Sequence, residues 1–118
     1  MDNIQLRRDI NLKNYTTIKV GGLTEYFYQP NGVSEFLNLI NWAKSKSYNC
    51  RIIGAGSNLL IKDIYLRGLT ICTKKMKTIK IYPKTGLVYA ECGVMLPTLA
   101  NLLAKNSCMG GEWAVGIP

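Results

Sequence analysis

The stretch Arg51-Ile52-Ile53-Gly54-Ala55-Gly56-Ser57-Asn58-Leu59-Leu60-Ile61 reads as an apolar strand, a glycine-punctuated loop and a second apolar run. Gly54 and Gly56 let the backbone turn tightly with its N–H groups directed into one concavity, Ser57 adds a hydroxyl donor, and Asn58 tolerates left-handed dihedrals. A loop of this kind suits an anion such as a pyrophosphate. An ordinary tight connection between two strands accounts for the same residues. The glycine loop of a dinucleotide-binding Rossmann unit must open a helix, whereas Leu59-Leu60-Ile61 favours another strand. The Rossmann reading therefore fails.

Working outward, Tyr26-Phe27-Tyr28 ahead of Pro30 predicts a strand, because aromatic residues suit a pleated surface and the proline ends it. Phe36, Ile40 and Ala43 then fall at helical spacing, with Lys44 and Lys46 in the last turn, which predicts an amphipathic helix over residues 34–47. Residues 50–53 read as a short strand and residues 59–61 as apolar again. Residues 69–73, 78–82 and 87–91 are β-branched or aromatic runs, and Pro83-Lys84-Thr85-Gly86 predicts a hairpin turn between the last two. A second helix starts at Pro97 and carries Leu99, Ala100, Leu102 and Leu103 to about Asn106. Hairpins outweigh regular strand-helix alternation, so the expected class is α+β rather than a doubly wound parallel sheet.

The chain has 118 residues, enough for one domain and too few for two. With 47% hydrophobic and 19% charged residues it has too many apolar side chains for a disordered tail. There is no histidine, which removes histidine-ligated metals, the usual general base and any histidine-containing triad. Residues 1–10 lack the apolar core of a secretory signal, and no window has ~18 uninterrupted apolar residues, so the expected location is cytoplasmic with no membrane span. Cys50, Cys72, Cys92 and Cys108 lack the close spacing of a zinc or redox site and are expected to be buried apolar thiols. The final run, Gly110-Gly111-Glu112-Trp113-Ala114-Val115-Gly116-Ile117-Pro118, has no polar tail and reads as a chain cut short.

Further motifs add to the glycine loop: Asn14-Tyr15-Thr16-Thr17-Ile18-Lys19-Val20-Gly21-Gly22, then Glu91-Cys92-Gly93-Val94, and at the end Gly111-Glu112-Trp113-Ala114-Val115-Gly116-Ile117-Pro118. With Gly54-Ala55-Gly56-Ser57-Asn58-Leu59-Leu60 between them, their order and spacing resemble the UDP-N-acetylenolpyruvoylglucosamine reductase family (UDP-N-acetylmuramate dehydrogenase, MurB) over nearly the whole chain. The resemblance implies the FAD-binding fold of the vanillyl-alcohol oxidase/p-cresol methylhydroxylase flavoproteins, with residues 18–118 as an incomplete FAD-binding domain, truncated in its second subdomain. Residues 1–17 would lead into it, and the substrate-binding domain would be absent.

On that resemblance the cofactor-binding residues are Gly54, Ala55, Gly56, Ser57 and Asn58 around the FAD pyrophosphate, flanked by Ile53 and Leu59, with Gly116, Ile117 and Pro118 opening a segment along the flavin. The implied reaction is NADPH-linked, FAD-dependent reduction of the enolpyruvyl group of a UDP-sugar in peptidoglycan precursor synthesis. The family's catalytic serine, arginine and glutamate belong to later segments, so no catalytic side chain carries over. This chain by itself is then expected to be inactive. Glu91 and Glu112 are expected to be structural, and Tyr15, Trp42 and Trp113 to be packing residues.

Two other functions fit parts of the sequence. An oxidase of the same flavoprotein superfamily keeps the fold, but many of those tether the flavin through a histidine, which this chain lacks. Residues 62–84 carry Lys62, Arg67, Lys74, Lys75, Lys77, Lys80 and Lys84 against one acid, Asp63, a charge that could track a phosphate backbone. These cations fall between apolar strand positions and at turns, as a solvated face places them, and no nucleic-acid-binding motif accompanies them. No nucleic-acid partner is expected.

Overall fold

The computed structural model describes residues 5–15, 22–54 and 65–105. In chain order the elements are β1 (Arg7–Asn11), a short 3-10 helix (Leu12–Tyr15), β2 (Leu23–Tyr28), α1 (Val33–Ser45), β3 (Cys50–Ile53), β4 (Leu66–Cys72), β5 (Ile79–Tyr82), β6 (Leu87–Ala90) and α2 (Leu96–Lys105). Four strands form one sheet in the order β1-β2-β4-β3, and β5 pairs with β6 in a second. The β2-β4 and β3-β4 pairs are parallel, while β1-β2 and β5-β6 are antiparallel. This mixture is α+β, as expected.

The centre of the first sheet is β4, whose residues Gly68 to Cys72 are buried. A strand covered on both faces reads as a continuous apolar run, and Leu69, Ile71 and Cys72 supply one. On one face Leu69 and Ile71 pack with Leu39 and Ala43 of α1, joined by Tyr26, Tyr28, Phe36 and Ile40. On the other, Leu12, Phe27, Ile53 and Cys72 form a second cluster with Ile10, Tyr15 and Leu66. The sheet thus has a core on each side.

Thr24 and Thr70 are also fully buried, and their hydroxyls are bonded to each other at 2.8 Å, which meets the requirement that buried polar groups be paired. The register of β2 against β4 slips between Thr24 and Tyr26, opposite Gly68. Gly68 has φ +94°, and its N–H, freed from the ladder, donates to Glu25 Oε1 at 2.8 Å. That is how a β-bulge disposes of its unpaired amide.

Several expectations need adjustment. The hairpin reading holds for β5-β6, where Gly86 at φ +73° donates to the Tyr82 carbonyl at 2.9 Å. It does not describe β2, β3 and β4, which pair in parallel with α1 as the connection between β2 and β3. Strand β1 and the 3-10 helix lie within residues 1–17, where β1 forms a sheet edge and Leu12 is completely buried. The cysteines are also corrected: Cys72 is buried as expected, but Cys50 and Cys92 are exposed. Cys50 starts an edge strand and Cys92 follows the exposed strand β6, so neither has a neighbouring layer to cover it. Cys108 and residues 59–61 lie outside the described residues.

Candidate functional site

Parallel strands bring their carboxyl ends to one edge, which is where open sheets of this kind receive ligands. Here that edge joins Ile53 and Gly54, at the end of β3, to Cys72 and Thr73, at the end of β4. The Ile53 carbonyl accepts from the Thr73 backbone N–H at 2.9 Å and from Thr73 Oγ1 at 3.4 Å. Cys72 Sγ donates to the Gly54 carbonyl at 3.6 Å, and Gln29 Nε2 in turn donates to that sulfur at 3.5 Å. The carbonyls at the start of the glycine loop are therefore tied down by Cys72 and Thr73, with Gln29 bonded to the Cys72 sulfur.

Among the described residues, a Cβ built at Gly54 would meet only Thr73 Oγ1, at 3.9 Å, and the backbone is not in a conformation reserved for glycine. Nothing among the described residues requires glycine at this position. Backbone left uncovered in this way suits close approach by an anion, so the described residues fit a cofactor phosphate at this edge. Of the expected contacts, Ile53 is 7% exposed within the core and Gly54 stands at the edge. Ala55, Gly56, Ser57, Asn58, Leu59, Gly116, Ile117 and Pro118 lie outside the described residues.

Gly93 is a glycine of the opposite kind. A Cβ there would overlap the carbonyl oxygens of both Thr73 and Met76. The Gly93 N–H donates to the Met76 carbonyl at 2.9 Å, and the Met76 N–H donates to the Thr73 carbonyl at 2.9 Å. Two residues earlier, Glu91 is buried, its Oε1 accepting from the Thr78 N–H at 2.8 Å while its own N–H donates to the Thr78 carbonyl at 3.0 Å. The expected structural role of Glu91 is thus found in the structure. Glu91 and Gly93 together dock the strand-to-helix segment onto the turn that leaves β4, directly beside Thr73. Sequence reading singled out this motif but missed Thr73, which reaches Ile53 across 20 positions of chain.

The packing roles expected of Tyr15 and Trp42 are also met. Tyr15 packs on Phe27 with tilted rings 4.5 Å apart, and Trp42 lies edge-on to Tyr26 at 5.3 Å. Trp113 and Glu112 lie outside the described residues. In the basic stretch, Arg67, Lys74, Lys75, Lys77, Lys80 and Lys84 are all exposed, as a solvated face requires. Among the described residues no helix is long and apolar enough to cross a membrane.

Comparison with known proteins agrees with this geometry. The FAD binding domain family matches residues 24–118, four-fifths of the chain. This chain belongs to that family. Its curated relatives include the UDP-N-acetylenolpyruvoylglucosamine reductase of Prochlorococcus marinus subsp. pastoris, 64% identical over 118 residues. The reductase of the same name from a Synechococcus species is 42% identical over 116 residues. The crystal structure of UDP-N-acetylenolpyruvylglucosamine reductase (MurB) from Thermus caldophilus superposes with a TM-score of 0.66 at 26% identity, covering 97% of this chain. The resemblance carried by the motifs is borne out. The chain spans 40% of the length of the Prochlorococcus relative and 38% of the Thermus chain.

Proposed function

We propose that this chain is the cofactor-binding part of a UDP-N-acetylenolpyruvoylglucosamine reductase, acting in the cytoplasm in peptidoglycan precursor synthesis. The observation that carries this reading is the place of Gly54 on the carboxyl edge of β3 and β4, where among the described residues a Cβ would meet only Thr73 Oγ1, in a chain of the FAD binding domain family. Ile53, Gly54, Ala55, Gly56, Ser57, Asn58 and Leu59 hold the FAD pyrophosphate through backbone amides and the Ser57 and Asn58 side chains. Gly116, Ile117 and Pro118 run along the flavin. When bound, FAD reduced by NADPH supplies the hydride for the enolpyruvyl double bond of the UDP-sugar.

The chain's own residues bind and orient. Thr73 and Cys72 fix the Ile53 and Gly54 carbonyls, which anchors the start of the loop that would meet the anion. None of the catalytic side chains is placed in this chain, which fits its 40% share of the relative's length. Purified alone, it should bind FAD weakly and show no NADPH oxidation with substrate.

The test is Gly54→Val. Among the described residues a Cβ there meets only Thr73 Oγ1, while a branched side chain would fill the space this reading gives the cofactor. Quenching of flavin fluorescence should weaken at least tenfold, about 1.4 kcal/mol, while the melting temperature stays unchanged. Equal FAD binding by Gly54→Val and the parent chain would overturn the reading.

A further inference from the structure

A separate pocket lies on the same carboxyl edge but on the β1-β2 side of β4. Its volume is about 140 Å³. That is space for a handful of waters and well below the 300–1,000 Å³ typical of sites for drug-sized ligands, so it can take one compact group and not a nucleotide. Arg7, Lys75, Gln5, Gln29 and Asn31 line it, and the buried ring of Phe27 contributes apolar wall.

Among the described residues the lining holds two cations and no carboxylate. Arg7 is held in place rather than loose: Nη1 donates to the Tyr15 hydroxyl at 3.0 Å, and the guanidinium sits 5.8 Å from the centre of the Phe27 ring. Its remaining N–H groups keep the planar fork that matches phosphate oxygens. Just outside the lining, Glu35 is already engaged. Its Oε2 accepts from the Tyr28 hydroxyl at 2.6 Å and its Oε1 from the Asn31 N–H at 3.1 Å and Nδ2 at 3.3 Å. Glu35 keeps its negative charge and acts through space on Lys75, while the lining itself supplies no carboxylate beside Arg7 among the described residues.

We propose that this pocket is an anion subsite that takes a compact phosphoryl group between Arg7 and Lys75. It stands beside Gln29, which also touches Cys72 at the entrance to the glycine loop, so the two sites share one edge of the sheet. The proposal goes beyond the cofactor reading and does not rest on it. A phosphoryl group is favoured over a carboxylate because two separate cations and three amide side chains line one pocket, and a dianion with three terminal oxygens offers more acceptors to such a lining than a carboxylate does.

The test uses the full chain at low salt, with amide NMR shifts followed during titration of inorganic phosphate. Saturable shifts should centre on Arg7, Gln29, Asn31 and Lys75. Lys75→Gln should weaken binding about tenfold, the usual effect of removing one charge-assisted contact. Because Lys75 is exposed, this substitution should leave the fold intact, and Arg7→Gln provides a second variant with the same expected loss. Glycerol 3-phosphate distinguishes a free ion from an esterified group: saturable shifts at the same residues support the proposal with either probe. Acetate should bind at least tenfold more weakly.

Four results would overturn the proposal. They are shifts scattered over the lysine-rich surface without saturation, affinity unchanged in both variants, acetate binding as well as phosphate, or a phosphate response lost in Ser57→Ala but retained in Lys75→Gln. The last would place the ion at the glycine loop instead.

Discussion

At the scale of single residues, Gly68 and Gly93 are required by the fold, whereas Gly54 is the glycine proposed to serve the cofactor. Gly93 cannot carry a side chain without pushing two backbone carbonyls apart, and Gly68 combines φ +94° with an Asn49 carbonyl oxygen that occupies the space a Cβ would take. Gly93→Ala and Gly68→Ala should each cost about 2–4 kcal/mol in urea unfolding, because rigid backbone rather than a flexible side chain must give way. Gly54→Ala should leave the unfolding curve unchanged. From the sequence alone these glycines look alike. The Gly54 loop was legible because its glycines sit beside Ser57 and Asn58, whereas the clash at Gly93 involves Thr73 and Met76, some twenty positions earlier. The bond from Thr73 to Ile53 is hidden for the same reason.

At the scale of elements, α1 shows both what periodicity reveals and what end chemistry adds. Its apolar spacing placed it within two residues of its observed bounds, and Leu39 and Ala43 face the sheet as that spacing requires. The C-terminal end was less visible, because a serine occupies the position usually given to glycine. Ser47 has φ +57°, with its N–H bonded to the Lys44 carbonyl at 3.1 Å and the Tyr48 N–H to that of Ala43 at 2.9 Å, a Schellman closure. Ser47→Gly should therefore raise stability by about 0.5–1 kcal/mol, read as a higher urea midpoint with unchanged slope.

The other end of α1 is pH-sensitive. The Tyr28 hydroxyl, and then the Asn31 amide, hold the Glu35 carboxyl below its ordinary 4.5, and the same bond raises the Tyr28 phenol above 10.0. A lowered carboxyl stabilises the fold above its unfolded value and loses that contribution as pH falls through the folded one. The raised phenol contributes fully below its unfolded value and loses its share as pH rises through the folded one. Glu35→Gln should cost under about 1 kcal/mol at pH 7, because the pair is well solvated, and the difference from the parent chain should vanish in acid below that carboxyl range.

At the scale of the whole molecule, the two sheets are unequally protected. The first has a core on each face, while every residue of β6 is exposed and Leu87 shows 65% of its surface. An isolated two-stranded hairpin is marginal in water. Amide hydrogen exchange should therefore be slowest in β2 and β4 and orders of magnitude faster in β5 and β6; uniform protection would contradict this division. The α+β class could be read from the mixture of patterns. The parallel pairing could not, because a short apolar strand carries no mark of which distant strand it will meet.

That pairing also governs when the chain can fold. Strand β2 is made early, but its inner neighbour β4 begins about forty residues later, and Thr24 waits 46 positions for Thr70. At roughly 5–20 residues per second, translation leaves β2 and α1 without their central partner for several seconds. Tyr26, Phe27, Leu39 and Ala43 are apolar side chains without their final cover during that interval. Commitment to the native sheet is thus a late event on the ribosome, set by the emergence of residues 66–72. Substitutions in β4 should act on the yield of folded protein at synthesis as strongly as on the stability of the finished molecule.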